Sequence, residues 1–349
     1  MDFIKYSLGL DVSKDDVQAC LVSIDLMQNV KICASRKFKN TVAGLETMVK
    51  WIEKNHRQKS VPLTICLEVT GVYHELFLYG LESADYFVSL IVPTYARRFM
   101  QSLGMHSKND KIDAEGLARL GAERQLKRWQ PGSIFYSSLR NLTRARQNFS
   151  EDKNIATNRL HAHLKLQRQS ELVIKQMKSV IEAFEVKIKE LEKAIAKLVK
   201  SNSEVLEKVD RVCEIFGVGL ITVATLIAET FGFEAFENTR QLISYSGFDV
   251  IENQSGYHRG KTRISKRGNA RIRRALYMPS LQAKKKASFA AIYERTLSRH
   301  HIKMKSLVAV QRKMLVTIFA LWKSGEVYDP NYQSNKEEEK STPALAGVQ

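Results

Sequence analysis

The chain contains 349 residues, of which 44% are hydrophobic and 26% are charged, a composition typical of a globular protein with room for two domains. Its formal net charge of +18 predicts a polyanionic partner, nucleic acid by default and an anionic membrane surface as the alternative. No apolar run reaches the roughly 18 residues of a membrane span. Because the first residues also lack the features of a signal peptide, we expect a cytoplasmic protein without a membrane partner.

Cysteine usage agrees with a reducing compartment. The cysteines at positions 20, 33, 66 and 213 contain no C-x-x-C pair, and the first three lie in apolar, strand-like stretches. We expect all four to be buried, reduced thiols rather than zinc ligands or disulfide partners.

Strands and helices alternate along residues 1–130. Three strands joined by short polar turns come first, which indicates an antiparallel meander, and helices and strands then follow in alternation. This order predicts an α/β domain of the RNase H-like type that ends before Pro131-Gly132. The predicted strands are 6–11, 17–24, 30–38, 63–69 and 87–92, and the predicted helices are 41–55, 73–83, 95–103 and 111–124.

Residues 137–208 contain no proline or glycine and predict long helices. Apolar residues repeat with heptad spacing along the second half, with isoleucine at 181, 188 and 195 and Asn202 continuing the same position. This pattern favours a parallel two-stranded coiled coil with a fixed register, and therefore a homodimer. An intramolecular helical hairpin that uses the same seam is the alternative.

The region 209–325 is predicted to be a basic, mainly helical domain. Gly217-Val218-Gly219 lies between two short apolar helices, which is typical of a helix-hairpin-helix whose second helix begins at a DNA phosphate. An ordinary tight turn is the alternative. Residues 256–305 contain 15 Lys or Arg and one acid, a net charge of +14. Helices are predicted for 269–286 and 288–321, and a disordered tail for 326–349.

Four carboxylates form the first candidate site. Asp11 and Glu68 end apolar strands, where a carboxylate is costly to bury unless it is paired or bound to a cation. Asp110 and Asp113 share one face of a starting helix. Together they would build an oxygen-only pocket for Mg²⁺ or Mn²⁺ that supports phosphoryl transfer. Alternatively, Asp110 and Asp113 only stabilise the helix N-terminus through the helix dipole, and Asp11 begins a turn.

A serine loop forms the second candidate site. Ser255 precedes a glycine in a stretch rich in cations, where guanidinium groups can stabilise charge that develops on a phosphate. A turn serine without a chemical role is the alternative. Ser265 competes for the same role, or instead caps the following basic helix or binds a phosphate.

These motifs together resemble the DEDD-type insertion-sequence transposases, the group that includes the pilin-gene invertases and the bridge-RNA-guided recombinases. The resemblance covers nearly the whole chain. It rests on the order and spacing of four segments: Gly9–Lys14, Leu67–Gly71, Lys108–Ala114, and the stretch from Phe216 to Leu276.

The family resemblance implies an N-terminal domain similar to Holliday-junction resolvases, with Mg²⁺ on Asp11, Glu68, Asp110 and Asp113. It also implies a coiled-coil linker and a serine nucleophile, which we place on Ser255, with a 5′-phosphoserine intermediate. The segment 247–252 lacks the proline expected in the family, so Ser255 is assigned less directly than the acids.

The implied partners are donor and target DNA, a noncoding bridge RNA, and further copies of the chain. The resemblance implies a tetramer at synapsis, in which one protomer's acids can join another's serine. The residues expected to contact nucleic acid are Gly217, Gly219, Arg259, Lys261, Arg263, Ser265, Lys266, Arg267, Arg271, Arg273 and Arg274.

Two other functions remain open at this point. A junction-resolving nuclease without a covalent step needs the acids and not the serine. A non-enzymatic DNA-binding dimer needs neither, and it leaves the four carboxylates without a purpose.

Overall fold

The structure, a computed structural model, describes residues 3–69, 71–105, 109–252, 254–255, 258–260 and 262–330; the side chains of 254, 258, 259 and 287 are not described. The chain divides into two units, Met1–Pro131 and Gly132–Gln349. The predicted helical region 137–208 and basic region 209–325 both lie in the second unit.

Five strands of the first unit form one sheet. Its strand order is β3-β2-β1-β4-β5, in which the first three strands pair antiparallel and the last two run parallel to β1. This is the strand order of the RNase H-like fold, as the sequence predicts. The strands are β1 (Phe3–Val12), β2 (Asp16–Asp25), β3 (Val30–Lys39), β4 (Leu63–Glu68) and β5 (Phe87–Ile91).

Helices cover both faces of this sheet. α1 (Val42–Asn55) and α2 (Glu75–Ser83) share a buried cluster with Leu8 and Leu10 of β1. α3 (Pro93–Ser102) and α4 (Asp110–Glu123) pack on the opposite face. Strand side chains alternate between faces, which is why β1 supplies apolar residues to one side and small or polar residues to the other.

Gly9 allows α4 to lie directly on β1. A Cβ atom at Gly9 would come within 2.0 Å of the Ala114 carbonyl oxygen and 2.3 Å of the Ala118 backbone nitrogen. At the other end of the strand, the Lys5 ammonium donates hydrogen bonds to the carbonyl oxygens of Gly121 and Arg124. α4 therefore runs antiparallel to β1, and its first turn lies towards the carboxyl end of the strand.

The second unit is mainly helical, and its described residues include four two-residue strands that form two antiparallel pairs, β6 with β9 and β7 with β8. Its elements are α5 (Ile134–His163), α6 (Glu171–Lys200), α7 (Ser203–Cys213), α8 (Leu220–Thr230), α9 (Thr239–Tyr245), β6 (Val250–Ile251), β7 (Gln254–Ser255), β8 (His258–Arg259), β9 (Arg263–Ile264), α10 (Ala270–Ala275), α11 (Tyr277–Ala283), α12 (Ala287–His300) and α13 (Lys303–Ser324).

The long helices α5 and α6 pack on each other within one chain. The Arg146 guanidinium bonds Glu192 at 2.7 Å, and the rings of Phe149 and Phe184 lie 6.1 Å apart. This antiparallel hairpin is the alternative that the heptad pattern left open. A coiled-coil dimer through α6 stays a prediction.

The heptad prediction is wrong at Asn202. α6 ends at Lys200, and the Asn202 side chain caps α7 by accepting a hydrogen bond from the Val205 backbone N–H at 3.1 Å. Asparagine competes well for a helix N-cap, because its side-chain oxygen satisfies a free N–H of the first turn. The heptad therefore does not continue through this residue.

Three further predictions need correction. Residues 269–286 and 288–321 are each divided, the latter at His301, whose φ of 53° is left-handed. Cys33 is exposed on the edge strand β3, whereas Cys20 and Cys66 are buried and Cys213 is half-buried; all four thiols are free. In the predicted tail, Tyr328 packs against the core of the second unit, and residues 331–349 lie outside the described part of the chain.

We predict that Gly9→Ala destabilises the first unit, because the new methyl group meets backbone atoms that cannot rotate away. Overpacking of this kind costs about 3 kcal/mol. Hydrogen exchange of the β1 and α4 amides, which reports local opening free energy, measures the loss.

The matched control is Gly219→Ala, where a Cβ has no neighbour within 4 Å. We expect Gly219→Ala to lower the free energy of unfolding by less than about 1 kcal/mol, because alanine is a weaker N-cap than glycine. Equal protection of the β1 amides in Gly9→Ala and in the wild type would contradict the close approach of α4.

Candidate active site and nucleic-acid interface

Asp11 and Glu68 lie side by side at the ends of two adjacent parallel strands. The register pairs Leu10 of β1 with Leu67 of β4, so the next residue along each strand stands at the same level. Both carboxylate residues are half-buried. The sheet alone therefore brings together two of the four predicted acids.

Both side chains project towards α4. Gly9 contacts α4 directly, and Cys66 shares an apolar cluster with Leu117 of that helix. Side chains two residues apart on a strand share a face, which places Asp11 with Gly9 and Glu68 with Cys66. The pair therefore lies on the face of the sheet that α4 covers.

The other two acids lie on the first turn of α4. Asn109 caps this helix by accepting a hydrogen bond from the Ile112 backbone N–H at 2.9 Å, which fixes the helix start at Asp110. Asp113 follows three residues later in the same turn and is half-buried, whereas the Asp110 side chain is 65% exposed. The cap therefore determines which acids occupy the turn that faces the strand ends.

A lysine on the edge strand shows where this turn lies. Lys37 of β3 pairs with Gln18 of β2, and Gln18 pairs with Asp11 of β1, so the three residues form one row across the sheet. The Lys37 ammonium lies 4.0 Å from Asp110 Oδ2 and 3.2 Å from Asp16 Oδ2. The first turn of α4 therefore lies at the level of Asp11.

The donor set suits a hard divalent cation, since carboxylate oxygens are the ligands that Mg²⁺ and Mn²⁺ prefer. In the part of the chain that the structure describes, no three His, Cys, Asp or Glu residues stand close enough to hold one ion. The four acids share one edge of the sheet without forming a closed ligand set. Joint coordination requires rotation of side chains such as Asp110, which solvent exposure permits.

Ser255 lies on the short hairpin of β7 and β8 in the second unit. The register pairs it with His258, and the serine is exposed. Ser265 instead accepts a hydrogen bond from the Arg267 backbone N–H at 3.2 Å, while its own N–H donates to the Asp249 carbonyl at 2.8 Å. Ser265 therefore closes a local turn. The basic helix α10 is capped by Asn269 and not by Ser265, which corrects one sequence alternative, and phosphate binding by Ser265 stays a prediction.

Three of the predicted nucleic-acid ligands bind other parts of the second unit. The Arg271 guanidinium donates to Gln147 and Asn148 of α5, and Arg274 pairs with Glu151 of the same helix. Arg273 donates to backbone carbonyls, including that of Ser246 at 2.8 Å. Burial lowers the pKa of both Arg271 and Arg273 from the ordinary value of an arginine.

For the remaining predicted cations, the structure shows solvent exposure where it describes the side chain. Arg263, Lys266 and Arg267 are exposed, and Lys266 has a left-handed backbone with φ of 53°. Arg259 belongs to β8, but its side chain is not described, and Lys261 lies outside the described residues.

The predicted glycine turn is present between α7 and α8. Gly217 has a φ of +86°, which favours glycine, and a Cβ there would lie 2.9 Å from the Pro279 carbonyl oxygen of α11. Gly219 precedes α8 without a side-chain cap, and space around it is open. The first N–H groups of α8 therefore begin at an open turn that packs against α11.

Sequence reasoning missed a buried carboxylate in the second unit. The Glu229 side chain is 1% exposed and accepts two hydrogen bonds from Arg144, at 2.6 and 2.7 Å, and one from Asn269 at 2.7 Å. Burial opposes ionisation of Glu229, but these bonds outweigh it and hold its pKa below the ordinary 4.5. The available signal is one acid in the otherwise uncharged segment 220–230, the same signal that marks Glu68.

This carboxylate joins three helices. Arg144 belongs to α5, Glu229 to α8, and Asn269 caps α10 by accepting from the Arg271 backbone N–H at 2.9 Å. The cluster therefore fixes the start of α10, the helix that follows the loop of Ser255 and Ser265.

Comparison with known families gives two matches along the chain. A family model of the DEDD type, described as transposase, matches residues 8–167, and a second, described as the transposase IS116/IS110/IS902 family, matches residues 209–294. The first range contains all four predicted acids, and the second contains Ser255 and the basic stretch up to residue 294.

Curated relatives align over most of the chain. The pilin gene-inverting protein of Moraxella bovis is 26% identical over 332 residues, which cover 93% of this chain and 98% of that protein. The transposase for insertion sequence element IS1111A of Coxiella burnetii is 23% identical over 353 residues, which cover 92% and 90%.

Among solved structures, the Thermus thermophilus RuvC structure matches with a TM-score of 0.28 and 12% identity, over 36% of this chain and 99% of that chain. The RNase H-like assignment of the first unit rests on strand order and direction.

No helix within the described residues is long and apolar enough to cross a membrane.

We predict that Glu229→Gln loosens the second unit at neutral pH, because Arg144 loses its counter-ion. Loss of one member of a buried ion pair lowers the free energy of unfolding by about 3–5 kcal/mol. Because the Arg144 side chain is 43% exposed, solvent screening reduces the expected loss to about 2 kcal/mol. Hydrogen exchange of the α8 amides measures the difference.

The difference in α8 protection between Glu229→Gln and the wild type should depend on pH. Because the folded pKa of Glu229 is below 4.5, its contribution is complete above 4.5 and is lost as pH falls through the folded pKa. The variant and the wild type should therefore converge in acid. Exposed Glu234→Gln is the matched control, and an equal loss of protection there would refute a specific role for Glu229.

Proposed function

Because the chain belongs to the IS110 family of DEDD-type insertion-sequence transposases, we propose that it cuts and rejoins DNA strands with a carboxylate site and a serine nucleophile. The carboxylates are Asp11, Glu68, Asp110 and Asp113, and the nucleophile is Ser255. The observation that carries the proposal is the alignment of Asp11 and Glu68 on neighbouring strand ends, on the face covered by the helix of Asp110 and Asp113.

The four carboxylates would hold Mg²⁺ or Mn²⁺. When bound, such ions lower the barrier to phosphoryl transfer by polarising the phosphate and stabilising the charges of the attacking and leaving oxygens. The sheet contributes rigidity, because Asp11 and Glu68 are fixed by strand pairing. The start of α4 contributes adjustable ligands, because Asp110 is exposed and can rotate.

Ser255 would supply the covalent step. Its Oγ attacks a backbone phosphorus, the bond from phosphorus to O3′ breaks, and the proton lost by the serine is the one that O3′ gains. A 5′-phosphoserine and a free 3′-hydroxyl result, and attack by another strand's 3′-hydroxyl reverses the same step to join new ends. Exposure of Ser255 on a two-residue strand suits an oxygen that must reach a DNA phosphate.

The exposed cations Arg263, Lys266 and Arg267 are the best candidates for phosphate contacts beside this serine. Arg271, Arg273 and Arg274 are better assigned to holding the second unit together, since each already bonds protein atoms. Donor and target DNA are the proposed substrates. A bridge RNA that selects them, a dimer through the α5–α6 hairpin and a tetramer at synapsis belong to the same proposal.

A metal-dependent junction nuclease is the competing function, because all four acids lie in the first unit and need no serine. The two proposals differ in one respect that can be tested. Only the recombinase forms a covalent bond between protein and DNA.

We predict that Asp11→Asn and Glu68→Gln each weaken Mn²⁺ binding at least about tenfold and abolish DNA cleavage, since one anionic ligand is lost. Isothermal titration with Mn²⁺ gives the affinity without relying on activity. Asp15→Asn is the matched control, because Asp15 is exposed in the turn after β1 and outside the row of acids. Unchanged Mn²⁺ affinity in both Asp11→Asn and Glu68→Gln would exclude the carboxylate site.

We also predict that Ser255→Ala abolishes strand exchange and the covalent adduct while Mn²⁺ affinity is retained. Denaturing electrophoresis with end-labelled DNA detects the adduct. Ser265→Ala is the paired variant and should retain the adduct, since that serine closes a local turn. If Ser255→Ala still forms the covalent adduct, the nucleophile is a different residue. If the wild type cleaves DNA without forming any adduct, the junction nuclease is favoured.

A further inference from the structure

A second surface of the second unit combines exposed apolar side chains with lysines, outside the serine loop. We call it the Phe216 surface and define it by Phe216, Met278, Lys285 and Lys286. Phe216 is 44% exposed and Met278 is 60% exposed, and both lysines are exposed. Soluble proteins rarely leave several large apolar side chains exposed next to one another, so this patch indicates a contact site.

Packing of the glycine turn on α11 brings these residues together. Gly217 approaches so closely that a Cβ would lie 2.9 Å from the Pro279 carbonyl and 3.1 Å from Gln282 Cβ. Gln282 and Met278 are four residues apart and share one side of α11. Met278 therefore lies on the side of α11 that the turn of Phe216 contacts.

A cation lies over the exposed ring. The Lys286 ammonium is 4.5 Å from the centre of the Phe216 ring, and Lys284, in the same run of three lysines, lies 5.0 Å from the Tyr293 ring. A cation over an exposed ring is a modest contact by itself. Here it places positive charge beside an aromatic residue that is 44% exposed.

This combination matches one class of ligand. Phosphates are attracted by the three consecutive lysines, and an exposed aromatic face can stack on a base that is not already stacked in a duplex. The uncapped N–H groups at the start of α8 add positive partial charge beside the same turn. Acidic protein segments would satisfy the lysines and leave the ring without a stacking partner.

We propose that the Phe216 surface binds unpaired nucleotides, with Phe216 as a stacking platform and Lys285 and Lys286 as phosphate contacts. This inference rests on the proposed function, and it assigns the single-stranded part of the nucleic acid to a site distinct from the Ser255 loop. The shared chemistry is a stacked base with its phosphate, which either RNA or melted DNA can supply.

The test measures binding of the full-length protein to labelled oligonucleotides by fluorescence anisotropy across a range of salt concentrations. Three probes are used: single-stranded RNA, single-stranded DNA of the same sequence, and duplex DNA. Phe216→Ala should weaken single-strand binding about tenfold and leave duplex binding unchanged. Phe216→Tyr, which keeps a stacking ring, should restore single-strand binding.

Lysine variants separate charge from stacking. Lys286→Gln should reduce the slope of log affinity against log salt by about 0.7 for the single strand, as expected for one lost phosphate contact. Lys323→Gln is the matched control, because Lys323 also lies over a ring, that of Phe319 at 5.9 Å, near the end of α13. Lys323→Gln should leave the slope unchanged.

The outcomes distinguish this inference from the proposed function. Unchanged single-strand affinity in Phe216→Ala, with DNA strand exchange intact, would overturn the Phe216 surface and leave the recombinase proposal standing. Equal losses for single strand and duplex would also overturn it, since stacking on unpaired bases would not explain them. If the wild type binds none of the three probes, the proposed function itself fails.

Discussion

The close approach of α4 to β1 is the contact on which the proposed carboxylate site depends. Gly9 leaves room for the Ala114 carbonyl and the Ala118 nitrogen, and the lysine at the start of β1 binds carbonyl groups at the far end of the helix. These contacts fix both the direction and the level of α4. Because of these contacts, the helix turn that carries Asp110 and Asp113 lies near the strand ends where Asp11 and Glu68 stand side by side.

The second unit depends on a different interaction, a buried ion pair. Glu229 binds Arg144 of α5 and Asn269, the cap of α10, so α5 and the helix that follows the serine loop are both tied to α8. A buried carboxylate of this kind is weak evidence for added stability, since its desolvation is costly. Its main effect is to position a helix, because it fixes where α10 begins after the loop that carries the exposed Ser255.

Sequence patterns were sufficient for the first unit because each signal there is local. Alternating strands, a meander and apolar helix faces predict the strand order, and an acid at an apolar strand end identifies Asp11 and Glu68. The same approach was less successful in the second unit. The predicted heptad continues through Asn202 because the spacing of apolar residues does not reveal where a helix ends. In the structure the Asn202 side chain caps α7. Composition also cannot show that Arg271, Arg273 and Arg274 bond atoms of their own protein, and their contact with nucleic acid stays a prediction.

The sequence by itself determined which residues are chemically capable: four carboxylates in a spacing shared with a family, a serine before a glycine, and a net charge of +14 within residues 256–305. Tertiary structure alone decided which of them meet and which are already occupied. Strand register sets Asp11 beside Glu68, and helix packing commits three arginines to protein partners while leaving Phe216 exposed under a lysine. The physical reason is that charge and residue type are properties of the chain, whereas distance and solvent access arise only from packing between segments remote in sequence.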